Sequence, residues 1–419
     1  MNYSSTMIKA DHSLTWAQIG QTDYDISVER SISKMPGLWD MLAPADNLFL
    51  GRAYLKVLEE NPPANMTFCY IIYRKNEKPI GVAACQIQRF NVDKSLNRQE
   101  KENKSSPCFF TAIGRFLKGL VASKVEFTTF VCGNILLTGE HGFHFKPGTL
   151  TDKETFELVD QSLDTAKKIL NQKGANINGF LLKDLFQKTR NNCYVPATTK
   201  MNEFVIEPNM ILDMDEKWKN FDDYLASMHS KYRVRARKAI KTGVPLEKES
   251  FDEQQIFDHR EELYALYQNV AEKSGFNLVN LNVNYLYELK KAFSDDFTLE
   301  VYRLDGEIIA FYTTLLNGDE LEAHFLGFNQ DLNRKYQVYL NILYQIVNIG
   351  IEKQVEKIVF ARTALEIKSS VGARAHEMFC YMRHPNAFSN KFVAPILDYL
   401  KPNHEGWVPR QPFKDRERY

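Results

Sequence analysis

Residues 70–87 read YIIYRKNEKPIGVAACQI, and residues 299–316 read LEVYRLDGEIIAFYTTLL. Each stretch has an apolar run rich in β-branched and aromatic residues, a Tyr-Arg pair, a polar turn and a second apolar run, a pattern that predicts a β-hairpin. Arg74 matches Arg303, and Ile80 matches Ile309, at one constant offset. Each hairpin is followed by a further predicted strand, a long amphipathic helix and another strand. The sequence therefore predicts the duplication of a whole α/β domain.

The size of the chain agrees with two domains. It has 419 residues, which is too long for one ordinary core. Its 53 basic and 53 acidic residues give a formal net charge of zero, so nothing in the global balance points to DNA. We expect an N-terminal domain over residues 1–203, a C-terminal domain over residues 204–400 and a polar tail over residues 401–419. The strand at Glu377–Arg383 is predicted to complete the second unit.

The first copy is longer than the second because of residues 91–124. Residues 91–107 are almost free of apolar side chains, which predicts a loop. Residues 108–124 have apolar residues at helical spacing and positive charge on the other side. Such a helix can lie at a membrane interface, cover an acyl tunnel, or pack as an ordinary domain helix.

The cysteines and the N-terminus indicate a reducing compartment. The six cysteines contain no CxxC pair, and no histidine cluster completes a zinc pattern, so we expect no metal site. Four cysteines lie in apolar, strand-like runs, as expected of buried thiols. The N-terminal residues lack a signal-peptide pattern, and no apolar run approaches the roughly 20 residues that span a bilayer. We expect a cytoplasmic protein, with peripheral contact at the inner membrane face through residues 108–124 as an option.

Three further stretches resemble a known family. They are DYLASMHSKYRVRARKAIKTG at residues 223–243, LGFNQDLNRKYQVYLNILYQIVNIGIEK at residues 326–353 and FARTALEIKSSVGA at residues 360–373. Together with the strand order, they resemble the double-GNAT architecture of the FemAB-like and BioF2-like acyltransferases. The resemblance covers the chain from about Asn47 to Pro385. It implies an α+β fold with two GNAT-like domains in tandem, each a mixed, largely antiparallel sheet flanked by helices.

The resemblance departs from the family at the donor site. Typical GNAT enzymes carry Q/R-x-x-G-x-G/A at the start of the helix after the central strand, where backbone N–H groups hold the coenzyme A pyrophosphate. Residues 329–336 read NQDLNRKY and contain no glycine. The resemblance implies an acyl thioester, foremost acyl-coenzyme A, as a co-substrate and no permanently bound cofactor. Another activated acyl donor stays open.

The catalytic candidates lie on the stretch LEAHFLGF, residues 321–328, which the resemblance identifies as the central strand. Period-two alternation predicts that Glu322 and His324 point to the same face. A carboxylate and an imidazole there could deprotonate an amine, directly or through water. A polar pair at the sheet surface, or a satisfied core histidine, is the structural alternative. Tyr339 in the next helix could protonate the leaving group, and core packing is the alternative for it.

Binding candidates follow from the same placement. The start of the helix provides Asn329, Arg334, Lys335 and Tyr336 for the cofactor. Candidates for the substrate are Asn134 and His141 in a glycine-containing loop of the first unit and Arg362 and Lys368 after the next strand. A solvated helix face is the structural alternative for Arg334 and Lys335, and core packing is the alternative for Tyr336. The basic run KYRVRARKAIK at residues 231–241 could bind phosphates of a nucleotide, of coenzyme A or of tRNA, or be a charged solvent face.

The predicted function is N-acyl transfer from a thioester to a primary amine of a small molecule or a lipid precursor. One alternative is a FemAB-like transferase that uses aminoacyl-tRNA, the only reading in which tRNA is a partner. The other is a catalytically silent GNAT-like binding protein. The sequence names neither the acceptor nor the acyl length.

Overall fold

A computed structural model describes residues 14–91, 126–172, 174, 176–193, 199–272, 279–399 and 407–414. The inserted loop and helix predicted at residues 91–124 lie, except for residue 91, outside the described residues. The suggested lipid contact through residues 108–124 lies outside them too.

The described strands form two mixed sheets. In chain order the strands are β1 Trp16–Gln18, β2 Tyr24–Glu29, β3 Met66–Lys75, β4 Lys78–Asn91, β5 Glu126–Cys132, β6 Phe143–Phe145, β7 Gly179–Phe186, β8 Asn202–Val205, β9 Asn209–Asp213, β10 Glu247–Ser250, β11 Phe297–Leu304, β12 Glu307–Asn317, β13 Glu320–Phe328, β14 Lys357–Val359, β15 Arg374–His376 and β16 Met378–Arg383. The first sheet has the order β1-β2-β3-β4-β5-β7-β16-β8, with β6 paired to β4. The second has the order β10-β11-β12-β13-β14-β9-β15.

Helices flank both sheets. In chain order they are α1 Leu38–Leu42, α2 Arg52–Glu60, α3 Asp152–Gln172, α4 Gln187–Cys193, α5 Phe221–Ser227, α6 Ser230–Gly243, α7 Glu253–Asp258, α8 Arg260–Ala271, α9 Tyr285–Phe293, α10 Gln330–Tyr336, α11 Val338–Glu352, α12 Leu365–Ser370, α13 Ala387–Asn390 and α14 Val393–Tyr399. The predicted α+β fold class, with two mixed sheets flanked by helices, is confirmed.

Two helices that the sequence predicts as continuous are divided. The apolar spacing of the sequence predicts one helix from about Leu332 to Lys353, but the structure has two helices there, α10 and α11, because Gln337 between them adopts a left-handed backbone conformation with φ of 51°. A left-handed residue ends the helical hydrogen-bond ladder. The sequence also predicts one helix from Asp252 to Lys273, whereas His259, with φ of −99° and ψ of 8°, separates α7 from α8.

The two sheets share one topology. The path β2-β3-β4-β5-β7 corresponds to β10-β11-β12-β13-β14: three antiparallel pairings are followed by one parallel pairing, β5 with β7 and β13 with β14. A parallel pair requires a crossover connection, and long helices provide it, α3 in the first unit and α11 in the second. The predicted duplication is confirmed.

The duplication extends to the Tyr-Arg pair in each hairpin. The register shifts between Tyr73 and Arg74 in one hairpin and between Tyr302 and Arg303 in the other, so each has a bulge at the same place. Arg74 Nε donates to Asp25 on the neighbouring strand at 2.8 Å, and Arg303 Nε donates to Glu249 at 2.8 Å. A bulge re-aims a side chain at the sheet edge, and here it directs both arginines to an acidic partner.

The chain passes between the two sheets at two places. Strand β8 belongs to the first sheet, and β9, which follows it closely, belongs to the second. Strand β15 lies in the second sheet, whereas the next strand, β16, pairs with β7 and β8 in the first. The prediction that Glu377–Arg383 completes the second unit is therefore wrong. A buried apolar run indicates a strand and not its partner, so the pattern could not place it. The domain limits at residues 203 and 400 stay a prediction.

The cysteines of the described residues are buried thiols: Cys69, Cys85, Cys132, Cys193 and Cys380. Burial raises the pKa of the Cys193 and Cys380 thiols to about 12, so both stay protonated and unreactive near neutral pH.

Candidate functional site

The central strand of the second unit, β13, separates from its parallel neighbour halfway along its length. It pairs with β14 only at Glu320, Leu321 and Glu322, while its pairing with β12 continues to Phe328. The part of β13 that follows Glu322 is thus not paired with β14. In the GNAT domains that the sequence resembles, the central strand diverges in this way, and one of its backbone N–H groups donates to the acyl carbonyl.

Glu322 and His324 lie on one face of β13, as the alternation predicts. Leu321 and Ala323 pack in the cluster around helix α11. Phe325 packs in the other cluster, together with Tyr54 and Tyr285. The register skips between Tyr312 and Thr314 of β12, a bulge that puts His324 and Phe325 on the same side. The face that carries Glu322 and His324 is directed at helices of both units.

The carboxyl group of Glu322 is in an environment that favours its neutral form. Its side chain is 5% exposed. Burial, with a smaller effect from the charge of Glu320, raises the pKa of Glu322 well above its ordinary value of 4.5. A carboxylate with a raised pKa is a better proton acceptor for an ammonium group than an exposed one.

The imidazole of His324 is held neutral. Burial lowers the pKa of His324 from 6.5 to about 3. Its Nε2 lies 3.2 Å from the hydroxyl of Tyr285, and its Nδ1 lies 3.5 Å from the hydroxyl of Thr313. The ring also packs against Phe325, with centroids 4.5 Å apart. These contacts fix the orientation of the ring.

A chain of buried hydrogen bonds connects His324 to the first unit. The hydroxyl of Tyr285 in α9 lies 3.2 Å from that of Tyr54 in α2, and Asn134 Nδ2 donates to Tyr54 at 3.0 Å. The charge of Glu322 also acts on Tyr54, whose pKa is raised to about 12, chiefly by burial. Candidates from the two units, Asn134 and His324, therefore meet through two tyrosines that the sequence analysis missed. Neither tyrosine stands out in a chain with 20 of them.

A second buried cluster joins the units at Asp184, which is 0% exposed. Its carboxylate accepts from Lys183, from Arg362 of the second unit and from the backbone N–H of Gly139. Burial raises the pKa of Asp184, but Arg362 and Lys183 outweigh burial and keep it below its ordinary value. Arg362, a predicted substrate-binding residue, is thus 4% exposed and engaged in an ion pair between the units. The sequence signal was a Lys-Asp pair inside an apolar strand.

Lys368, another predicted substrate-binding residue, holds a loop together. Its ammonium donates to the carbonyl oxygens of Phe360, Ala361 and Arg362. The loop contains three residues other than glycine with positive φ, namely 55° at Ala361, 67° at Thr363 and 49° at Ala364. Such conformations are costly and persist only where the surroundings enforce them. The observed contacts of Lys368 are structural, and its substrate role stays a prediction.

His141 lies in the loop that also provides Asn134, and its ring packs on Phe49, with centroids 4.7 Å apart. Burial lowers the pKa of His141 to about 4, and its Nδ1 lies 3.2 Å from Asn47 Oδ1. Its Nε2 is buried and has no hydrogen-bond partner among the described residues. This nitrogen faces Gly139, where an added Cβ would lie 2.6 Å away. Glycine at position 139, which has no side chain, leaves room for the imidazole ring of His141.

The candidate cofactor-binding residues of α10 do not form the arrangement of a phosphate site. Asn329 is the N-cap of α10, and its side chain accepts from the backbone N–H groups of Asp331 and Leu332. Arg334 and Lys335 lie toward the end of this helix, and the Lys335 ammonium lies 4.9 Å from the centre of the Tyr336 ring. The amides that the family uses for pyrophosphate therefore already have an acceptor. The cofactor roles of these residues stay predictions.

Tyr339 lies in the first turn of α11. Its ring packs on Phe328, with centroids 6.0 Å apart, and burial raises its pKa above the ordinary value of 10.0. A phenol with a raised pKa retains its proton and can donate it to a leaving group only at a cost. The Tyr339 ring packs in the cluster around α11, whereas the partners of His324, Tyr285 and Phe325, pack in the other cluster.

The basic run at residues 231–241 forms most of helix α6. Ala236 and Ala239 are buried, and most of its lysines and arginines are exposed. The carbonyl of Ala239 accepts from Asn341 in α11. A narrow stripe of small residues thus attaches the helix and leaves its charged side in solvent.

The comparison with protein families agrees with this geometry. A family model described as an acetyltransferase (GNAT) domain matches residues 227–369, which include all of β10 to β14. Residues 227–369 thus match a GNAT domain, and the predicted GNAT-type acyltransferase is confirmed. The repeated strand order adds a second unit of the same topology.

Three solved structures illustrate the proteins with a similar chain trace. FemX is 11% identical, covers 81% of this chain and 96% of its own, and has a TM-score of 0.44. A tandem GNAT protein from the clavulanic acid biosynthesis pathway is 8% identical, with coverage of 80% and 88% and a TM-score of 0.45. L-PGS from Bacillus licheniformis is 10% identical, with coverage of 82% and 95% and a TM-score of 0.42. No curated protein matches the sequence.

Metal clusters and membrane-spanning helices are both absent from the described residues. These residues contain no group of three or more His, Cys, Asp or Glu side chains that could hold a metal ion. Within the same part of the chain, every helix falls short of the length or the apolar character needed to cross a membrane.

Proposed function

We propose that this protein is an N-acyltransferase whose active site lies on β13, where the strand diverges from β14. The observation that carries the proposal is the coincidence of three features at one place: the divergence after Glu322, a buried carboxyl group with a raised pKa, and a neutral imidazole on the same face. The GNAT match over this strand supports the reaction type.

In the proposed reaction the amine nitrogen attacks the acyl carbonyl carbon, and the bond from that carbon to the leaving sulfur breaks. Glu322, in its ionised form, takes the proton that the amine loses, directly or through water. The leaving thiolate is protonated afterwards. His324 lies beside the reacting carbonyl and stays neutral throughout, because protonation would bring a charge into a buried site.

The proposed donor is an acyl-coenzyme A, and the acceptor is a primary amine of a small molecule or lipid precursor. One observation favours a second donor. Because Asn329 occupies the first amides of α10, a pyrophosphate would have to displace its side chain. An aminoacyl-tRNA needs no such contact at this helix, and the exposed basic side of α6 offers cations for its phosphates.

The test is a donor-by-acceptor screen with the full chain. Acetyl-coenzyme A, longer acyl-coenzyme A thioesters and aminoacyl-tRNA are each combined with a panel of primary amines, and products are identified by mass spectrometry. Turnover with a thioester supports the leading proposal, and turnover with aminoacyl-tRNA alone replaces it by the second. Binding of a donor without turnover in any combination would support a silent binding protein and refute both.

Glu322→Gln is the variant that tests the base. A neutral amide cannot accept the proton, so turnover should fall by about 10²–10⁴-fold with little change in thermal stability. Glu320→Gln is the matched control, since it makes the same change two residues earlier, in a side chain that pairs with Lys357 at 3.2 Å. Equal turnover in Glu322→Gln and Glu320→Gln would contradict the assignment.

A further inference from the structure

In the buried hydrogen bonds that connect Asn134 to His324, the donor and the acceptor of each bond can be assigned, starting from the first unit. The backbone N–H of Leu136 donates to Asn134 Oδ1 at 3.0 Å, and Gln86 Nε2 donates to the same oxygen at 3.2 Å. Gln86 is itself oriented, because its Oε1 accepts from the backbone N–H of Ile135 at 2.7 Å. A backbone amide can only donate. The oxygen of Asn134 is therefore assigned, and the other terminal atom is the amide nitrogen.

This orientation determines each following hydrogen bond. Asn134 Nδ2 donates to the oxygen of Tyr54, so the Tyr54 proton is directed at its other neighbour, the hydroxyl of Tyr285, 3.2 Å away. The Tyr285 oxygen accepts there, and its own proton is directed at His324 Nε2, also 3.2 Å away. Both tyrosines are 0% exposed, so water cannot easily supply alternative partners. Nε2 is thus an acceptor.

The opposite side of the ring leads to the same tautomer. The Thr313 hydroxyl donates its proton to the carbonyl of Phe325 at 3.1 Å, and its oxygen accepts from the backbone N–H of Phe325 at 2.9 Å. Toward His324 it can only accept, and Nδ1 lies 3.5 Å away. A neutral imidazole has one N–H and one lone pair. Both sides of the ring assign the proton to Nδ1.

We propose that Asn134, acting through Tyr54 and Tyr285, fixes His324 as the Nδ1–H tautomer, so that His324 donates a hydrogen bond to the developing oxyanion and does not act as the base. The lone pair of Nε2 is engaged with Tyr285. Among the described residues, the Nδ1–H has only a long contact to Thr313, which a charged oxygen would replace. Asn134, Tyr54 and Tyr285 are positioning residues. This catalytic role rests on the proposed function, whereas the tautomer does not.

The test is ¹⁵N NMR of the full chain labelled at histidine, with the His324 signals assigned by their loss in His324→Gln. Wild-type protein should show the Nδ1–H tautomer. Asn134→Asp replaces the donor nitrogen by a second oxygen of the same shape. At about pH 9 the carboxylate must accept from Tyr54, which reverses every following hydrogen bond and should convert His324 to the Nε2–H tautomer. Asn47→Asp, the same change in a side chain outside the chain of hydrogen bonds, should leave the Nδ1–H tautomer.

A wild-type Nε2–H tautomer, or an unchanged tautomer in folded Asn134→Asp, would overturn the inference. If Asn134→Asp does not fold, Tyr285→Phe takes its place. It removes the donor to Nε2, so the Nε2 signal should move toward that of a free lone pair, and an unmoved signal refutes the contact.

The kinetic measurement separates the two proposals. With an active donor and acceptor pair, Asn134→Asp should lower kcat by about 10²–10³-fold with KM nearly unchanged, the effect expected when an oxyanion donor is lost. A tautomer change in a protein with no transferase activity refutes the proposed function and leaves the hydrogen-bond direction standing. Full kcat after the tautomer change refutes the donor role of His324.

Discussion

The substitution Asp184→Asn should destabilise the protein far more than its small chemical size indicates. Asp184 is the counter-charge for two buried cations, Lys183 and Arg362, which are 5% and 4% exposed. The amide that replaces the carboxylate retains its shape but leaves both cations without this negative partner. Removing one partner from a buried ion pair costs about 3–5 kcal/mol. Because Arg362 comes from the second unit, the loss also falls on the contact between the units.

A matched control is available at the surface of the first sheet. Asp25 accepts from Arg74 Nε at 2.8 Å, with side chains 26% and 24% exposed. Water can solvate both groups after Asp25→Asn, so the expected cost is about 0.2–1 kcal/mol. The two variants make the same atomic change and differ in the burial of the charges.

Urea unfolding followed by circular dichroism gives the free energy of unfolding of each variant. The two variants should differ by at least about 2 kcal/mol, the gap between the buried and exposed ranges. The pH dependence adds a second measurement. The folded-state pKa of Asp184 lies below its ordinary 3.8, so the stability from its ionisation is present above that value and is lost as the pH falls through the folded pKa. Asp184→Asn should remove this acid-induced loss. A cost for Asp184→Asn no larger than that for Asp25→Asn would refute the reasoning.

Three further outcomes are expected. Lys368→Met removes the donor to three carbonyl oxygens in residues 360–362. Each unsatisfied carbonyl costs about 1 kcal/mol or more, so calorimetry should show that the free energy of unfolding falls by at least about 3 kcal/mol. A fall of less than about 1 kcal/mol would contradict the role of Lys368 in holding the loop. Gly327→Ala would place its Cβ 2.4 Å from a backbone nitrogen of α8, so the helix must shift at a cost of about 1–3 kcal/mol; unchanged urea stability would show that α8 is not fixed there. Burial lowers the pKa of His324 to about 3. Below about pH 6.5 the imidazole therefore binds a proton in the unfolded chain but not in the folded protein. The free energy of unfolding should fall as the pH falls from there toward 3, by up to about 1.4 kcal/mol per pH unit. His324→Gln should flatten this slope, and an equal slope in both proteins would mean that the imidazole is not held neutral by the fold.

Local signals in the sequence determined the hairpins and their duplication. The Tyr-Arg pairs, the polar turns and the alternation in residues 321–328 depend on neighbours a few positions apart, so a pattern read along the chain could find them. The placement of Glu322 and His324 on one face follows from the two-residue period of a strand. The composition of residues 91–124, which set this stretch apart from the second copy, was also visible in the sequence.

The tertiary structure decided which elements meet. Tyr54 and Tyr285 are separated by 231 positions, and Asp184 and Arg362 by 178, and no local pattern encodes such pairings. The pairing of β16 in the first sheet has the same origin, because a fully buried apolar strand can pair in either sheet until both are assembled. Asn329 shows how far the sequence can predict the contacts of a single residue. Its position at a helix start was predictable. That its side-chain oxygen accepts from the first amides of its own helix depends on the folded backbone around it. The sequence determined the strands and the residues on their faces, and the folded chain determined the partners of those residues, because burial and hydrogen bonding are fixed only when distant segments come together.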